Sequence, residues 1–166
     1  VVNSLIQNID AFSNDSILIA ATNHHELLDP AIWRRFTTIV SLEKPQKGEI
    51  ERLLTILLTD KENNFMGNER KLNGVIDALF GFSHSDIKTV TFNAIREVIL
   101  SGRSSLTNCD ILKSIFFYKN HAIENEDDLI EYLLKNGVTH KEINDSLAIP
   151  LRRIQGISKN LDRKEL

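Results

Sequence analysis

The run Ser16-Ile17-Leu18-Ile19-Ala20-Ala21 is short, almost unbroken in its apolarity, and stops abruptly at Thr22-Asn23. Such a run, without polar alternation, predicts a strand buried on both faces, as in a parallel sheet. A strand of this kind constrains the whole fold, because it needs paired neighbours and covering helices. Polar residues just past the carboxyl end of such a strand tend to face a ligand, which makes Asn23 the first candidate site residue. Asp29-Pro30 predicts a helix start, with a carboxylate at the N-cap and proline in the first helical position. That helix has room for about a turn and a half before it ends in Arg34-Arg35. Thr37 to Leu42 predicts a second strand. Upstream, apolar residues at 1, 2, 5, 6 and 9 have helical spacing, and Phe12 to Asp15 predicts a polar turn.

Pro45 marks a shift in composition, and everything after it predicts helix. Ile50, Leu53, Leu54, Leu57 and Leu58 form one stripe. Thr59 to Asn68 is polar and predicts a loop. Leu72, Val75, Ile76, Leu79 and Phe80 form a second stripe, closed by Gly81 at a C′ position. Ser83 opens a long helix ending at Gly102, and Ile111, Leu112, Ile115 and Phe116 form a fourth stripe. None of these short helices is stable alone in water, so they must share a core. In the last third, the acidic cluster Glu124-Asn125-Glu126-Asp127-Asp128 suits a helix start. Thr139 to Glu142 fits a capping box, and Ala148-Ile149-Pro150 predicts a turn before a third helix with Leu151, Ile154, Ile157 and Leu161. The pattern predicts a trihelical, helix-turn-helix-like unit.

A net charge of −3 over 166 residues argues against a uniformly basic nucleic-acid binder. The lone Cys109 excludes a disulfide framework and a cysteine-based zinc site, and suits the reducing cytoplasm. Near a helix start its thiol pKa is open to lowering, but a small buried hydrophobe is the simpler expectation. His24 and His25 are adjacent, so their side chains diverge, and no metal site is expected there. No apolar run is long enough to predict a membrane span.

Ala21-Thr22-Asn23, then Leu28-Asp29-Pro30-Ala31-Ile32, then Arg34-Arg35-Phe36 resembles the second half of the ATPase core in the AAA family of ATPases. The close spacing, with no Pro-Gly between the arginines, is most similar to the meiotic clade. The resemblance covers residues 1 to about 119. It implies a mixed, mainly α fold: residues 1–44 as the C-terminal remnant of a parallel α/β core with two strands, 45–119 as the helical lid, and 120–166 as a helix-turn-helix-like extension. It implies that Asn23 is sensor 1, a neutral amide that holds the attacking water or touches the γ-phosphate. It implies that Arg34 or Arg35 is the arginine finger acting on a neighbouring subunit's nucleotide, the other supporting it; a planar, permanently charged guanidinium suits bidentate phosphate contact. Trp33 is read either as packing into a subunit interface or as core.

Gly81-Phe82-Ser83-His84-Ser85-Asp86-Ile87 matches the family's second sensor region, which places Ser83, His84 and Ser85 beside the adenine and ribose. His84 replaces a family glycine, so it either stacks on the base or weakens binding. The intact protein is expected to use ATP and Mg²⁺ in an oligomeric ring, commonly a hexamer, to remodel a macromolecular substrate, above all protein. The 166 residues hold no G-x-x-x-x-G-K-[ST] loop and no strand ending in Asp-Glu, so the chain reads as a C-terminal fragment, inactive alone and without tightly bound cofactor. The alternative function is a DNA-binding or adaptor module. It would use residues 139–161, with Arg152, Arg153, Gln155 and Lys159 on a recognition helix. Against it stand the nearby acidic cluster and Gly156 in mid-helix.

Overall fold

Capping chemistry sets where most of the helices begin. The computed structural model describes residues 2–12, 16–120 and 125–164. Among these the α-helices are α1 (Val2–Asp10), α2 (Pro30–Trp33), α3 (Lys47–Leu57), α4 (Glu69–Leu79), α5 (His84–Leu100), α6 (Asn108–Asn120), α7 (Glu126–Lys135), α8 (His140–Leu147) and α9 (Leu151–Lys164), with a 3-10 turn at His25–Leu27. Of the sequence expectations, Val1, part of the Phe12–Asp15 turn and Glu124 lie outside the described residues. The chain divides into two units, Val1–Glu43 and Lys44–Leu166.

In the first unit, Asp29 caps α2 as expected, its Oδ1 accepting from the Ala31 N–H at 2.8 Å. Among its described residues, Ile32 is the buried apolar one. The two runs expected as strands, Ser16–Ala21 and Thr37–Leu42, are irregular, and no strand forms in them among the described residues. Ile17, Ile19 and Leu42 are 89%, 86% and 93% exposed. A strand is sustained by its ladder, and a two-sided apolar strand also needs a layer on each face. The described residues of this unit supply neither, so apolarity alone does not make a sheet.

The second unit is an all-helical bundle around one continuous core. Reciprocal capping boxes open α3 (Gln46 with Glu49), α5 (Ser83 with Asp86) and α8 (Thr139 with Glu142). Thr107 and Asp110 make the same exchange at the start of α6, where Arg103 also grips the Asp110 carboxylate with both terminal nitrogens. Gly81 and Gly137 turn the chain with φ of +88° and +82°, values that cost glycine nothing.

α5 packs chiefly on α6, and α6 in turn carries α4, α7 and α8. The pair α5/α6 is antiparallel, and two side-chain bonds show its register. Ser114 Oγ donates to the Val90 carbonyl at 2.8 Å, and Tyr118 Oη donates to Asp86 Oδ1 at 2.6 Å. From one bond to the next, each helix moves four residues, about one turn, in opposite directions. Phe65, from the segment expected as a polar loop, is fully buried, and Asn63 Oδ1 holds its turn by accepting from the Met66 N–H at 2.9 Å. Phe80 was expected in the second stripe. It is instead the C-cap of α4 and half exposed, with the Lys47 ammonium 6.0 Å from its ring.

The last three helices extend this same core. Leu129, Ile130, Leu133, Ile143 and Ile154 are buried in one cluster with Ile111, Leu112 and Ile115 of α6. α4 meets the connection between α7 and α8 closely: a Cβ on Gly74 would lie 2.6 Å from the Asn136 carbonyl oxygen. Beside it, Lys71 of α4 pairs with Glu142 of α8 at 2.5 Å.

Candidate functional site

The first candidate cluster lies in Val1–Glu43. Asn23 lies two residues past the apolar run, after Thr22, and is exposed. The next residue is held by a side chain, the His24 N–H donating to Thr22 Oγ1 at 3.0 Å. His24 and His25 both approach Glu26, at 3.2 and 3.5 Å. A backbone hydrogen bond, and then His24, hold the Glu26 carboxyl below the usual range. Among the described residues, no group of three or more His, Cys, Asp or Glu side chains is arranged to hold a metal ion.

The two arginines differ sharply. Arg35 Nε and one terminal nitrogen donate to the two oxygens of Asp10 at 2.9 and 3.1 Å, and the other terminal nitrogen donates to the Ala31 carbonyl at 2.7 Å. It thereby ties the end of α1 to α2. A carboxylate at a helix C-terminus is unfavourable against the helix dipole, so Asp10 gains from this fork. Arg34, the C-cap of α2, is exposed and makes no side-chain bond to the described residues. Trp33 between them and Ile32 is half-buried. The sequence signalled the arginine pair but not Asp10, whose partnership spans 25 positions of chain.

The second cluster lies in Lys44–Leu166, at the start of α5. His84 and Ser85 are exposed on its first turn, and Ser83 is the half-buried N-cap. Asp86 anchors this turn: its Oδ2 accepts from the Ser83 N–H at 3.1 Å and from Ser83 Oγ at 2.8 Å. The Tyr118 hydroxyl, and then Ser83, lower the Asp86 pKa, and the same bond raises that of Tyr118. Phe82 packs on Tyr118 with ring centroids 5.6 Å apart, and Lys119 sits 5.2 Å over the Phe82 ring while donating to the Ala78 carbonyl at 3.2 Å. Tyr118 and Lys119 were not anticipated. The α5/α6 register that brings them there carries no local sequence signal. A cavity of about 220 Å³ lined by Lys61, Ile95, Ile99 and Arg103 lies further along α5, roughly 20 Å from His84 by helical rise. It therefore does not bear on this turn.

On the tail, Arg152, Gln155 and Lys159 are exposed on α9. Arg153 is committed to α7: it pairs with Glu126 at 2.5 Å and Asp127 at 2.7 Å, which raises its pKa. α9 runs unbroken through Gly156. Cys109 is fully buried, and that burial pushes its thiol up to about 11 despite a hydrogen bond with Ser146. No described helix is long and apolar enough to cross a membrane.

Residues 1–44 match the model of the family described as "ATPase family associated with various cellular activities (AAA)". Over those residues the chain is similar to the AAA family of ATPases. It is 33% identical over 115 residues to an uncharacterised AAA family ATPase of Sinorhizobium fredii, covering 69% of this chain and 33% of that one. It is 31% identical over 113 residues to the chloroplastic ATP-dependent zinc metalloprotease FTSH 7 of Arabidopsis thaliana, covering 66% of this chain and 14% of that one. It is 34% identical over 116 residues to the proteasome-activating nucleotidase of Saccharolobus solfataricus, covering 67% of this chain and 28% of that one. The chain thus spans a third or less of each of these relatives. No solved structure gives a significant match.

Proposed function

We propose that this chain is the sensor, finger and lid portion of an AAA ATPase that uses ATP and Mg²⁺ in an oligomeric ring, in the cytoplasm, to remodel a protein substrate. In this reading the phosphate loop and the Mg²⁺-holding carboxylates come from polypeptide outside these 166 residues. The uncovered apolar runs at Ile17–Ile19 and Ile39–Val40 are then strands whose sheet partners belong to that same polypeptide. Asn23 positions water or the γ-phosphate in its own subunit. Ser83, His84 and Ser85 face the nucleoside. The narrower likeness to the meiotic clade rests on the spacing of Asn23 to Phe36 alone.

The observation that carries the reading is the division of labour between the arginines. A finger needs a free guanidinium held on a rigid base. Arg34 is exposed and unbonded to the described residues, while Arg35 locks the base to Asp10 and Ala31. We therefore assign Arg34 as the finger and Arg35 as its support. The acidic partners of Arg153 weigh against a nucleic-acid face on α9, so the tail enters this reading as packing for the lid.

The test is steady-state ATPase activity of the intact protein. Arg34→Ala is expected to lower turnover by about 10³-fold or more with nucleotide binding preserved. Mixed rings would place the loss in the neighbouring subunit's site. Arg35→Ala is expected to lower turnover and also the melting temperature of the first unit. Wild-type turnover in Arg34→Ala would overturn the assignment.

A further inference from the structure

We propose that Tyr118, at the end of α6, is a positioning residue for nucleotide binding: through Asp86 it sets the angle at which the first turn of α5 presents His84 and Ser85. The inference rests on the reading that this turn faces the nucleoside, and it adds a residue that reading does not contain.

The turn from Phe82 to Ser85 is short, and its two outward side chains are exposed. Within that stretch Phe82 is buried in the bundle core, but Ser83, His84 and Ser85 have no side-chain bond to another helix among the described residues. Direction comes from Asp86, whose two oxygens face different elements. Oδ2 closes the capping box with Ser83 inside α5, whereas Oδ1 accepts the Tyr118 hydroxyl at 2.6 Å from α6. A short hydrogen bond to an ionised carboxylate is the stronger, more directional kind. One level deeper, the buried bond from Ser114 to the Val90 carbonyl holds α5 and α6 in register. Two tethers one turn apart fix both the rotation and the tilt of α5, which a single tether cannot do. The Tyr118 ring also supports Phe82, the residue just before the cap.

Substituting the hydroxyl alone separates position from packing. Tyr118→Phe keeps the ring against Phe82 and leaves the Ser83–Asp86 box intact. α6 also carries α7 and α8. Its far end thus joins the nucleotide-facing turn to the tail.

The experiment measures ATP affinity and turnover in the intact ATPase for Tyr118→Phe, Asp86→Asn, the double variant and His84→Ala. Tyr118→Phe is expected to raise the Kd and KM for ATP about threefold to tenfold, with kcat at saturation and the melting temperature nearly unchanged. Asp86→Asn is expected to weaken binding too. The double variant should fall short of the product of the two single effects, because both disturb the Tyr118–Asp86 bond, although Asp86→Asn also disturbs the capping box with Ser83. An unchanged Kd in Tyr118→Phe beside a weakened Kd in His84→Ala overturns the positioning role and leaves the site reading standing. A loss of affinity that merely tracks a fall in melting temperature overturns it as well. An unchanged Kd in His84→Ala and in Tyr118→Phe removes the nucleoside-facing role of the turn itself, and the inference falls with it. If Asp86→Asn fails to fold, Tyr118→Phe against His84→Ala still decides.

Discussion

Gly74 is the place where the joint between α4 and the tail can be tested by sign. In a helix interior, alanine is favoured over glycine by about 0.8–1 kcal/mol, so propensity alone makes Gly74→Ala stabilising. The structure opposes this. The added Cβ would lie 2.6 Å from the Asn136 carbonyl oxygen, whereas ordinary contact begins at 3.4 Å, so a gap of about 0.8 Å must be opened. The obstacle is backbone and is firmly held. The Gly137 N–H bonds to the Leu134 carbonyl and the Val138 N–H to the Leu133 carbonyl, each at 3.0 Å, and Val138 is buried. Forcing extra volume into such a place costs about 1–3 kcal/mol, and opening it also strains the Lys71–Glu142 pair. The net expectation is a change between neutral and a destabilisation of about 2 kcal/mol, which in a chain of this size lowers Tm by up to roughly 8 °C. Gly156 is the internal comparison: it lies inside α9 with nothing within 4 Å of its would-be Cβ. Gly156→Ala is expected to stabilise by about 0.5–1 kcal/mol. Thermal unfolding by circular dichroism, with hydrogen exchange on α7 and α8, measures both. A rise in Tm for Gly74→Ala equal to that for Gly156→Ala would refute the close approach.

Other consequences are as direct. Burial works against the Glu142 carboxylate, but Lys71 and Thr139 outweigh it and hold the group below its ordinary pKa. A carboxyl depressed in the folded state contributes stability above its unfolded pKa and loses it as pH falls through the folded value. Acid titration should therefore loosen α8 at pH below the ordinary glutamate range, and Glu142→Gln should flatten that part of the profile. The Thr91 hydroxyl is buried with no hydrogen-bond partner among the described residues, so Thr91→Val should raise stability by up to about 1 kcal/mol in urea unfolding. Cys109, with its thiol raised to about 11 and fully buried, should react with thiol reagents at neutral pH only after denaturant is added. Fast labelling of the native chain would contradict that burial.

Local chemistry explains which parts of this structure could be read in advance. Ser83 with Asp86 and Thr139 with Glu142 announce helix starts, because a cap and its partner sit three residues apart. Gly81 and Gly137 announce ends for an equally local reason. The α3 start was harder to see, since Gln46 is an unusual N-cap. What escaped the sequence is nonlocal. Asp10 with Arg35, Tyr118 with Asp86, and Gly74 beside Asn136 are each set by how helices cross, not by spacing along one of them. The two apolar runs of the first unit carry strand composition, but a ladder also needs partner strands, and the described residues form no sheet. For the candidate site, the sequence offered residue types, but not the asymmetry between Arg34 and Arg35, because adjacent identical residues differ only in what surrounds them.

The apolar interior running from Ile50 to Ile157 also tells an experimenter where this polypeptide divides. Severing it after Asn120 would strip Ile111, Leu112 and Ile115 of neighbours they share with Leu129, Leu133 and Ile143, leaving a sticky stump rather than a smaller domain. A graft that starts near Lys44 and runs to the end would carry its whole interior along. Transplanting this helical unit between relatives therefore means moving α7 to α9 as well, and a chimaera that leaves them behind should precipitate or be degraded.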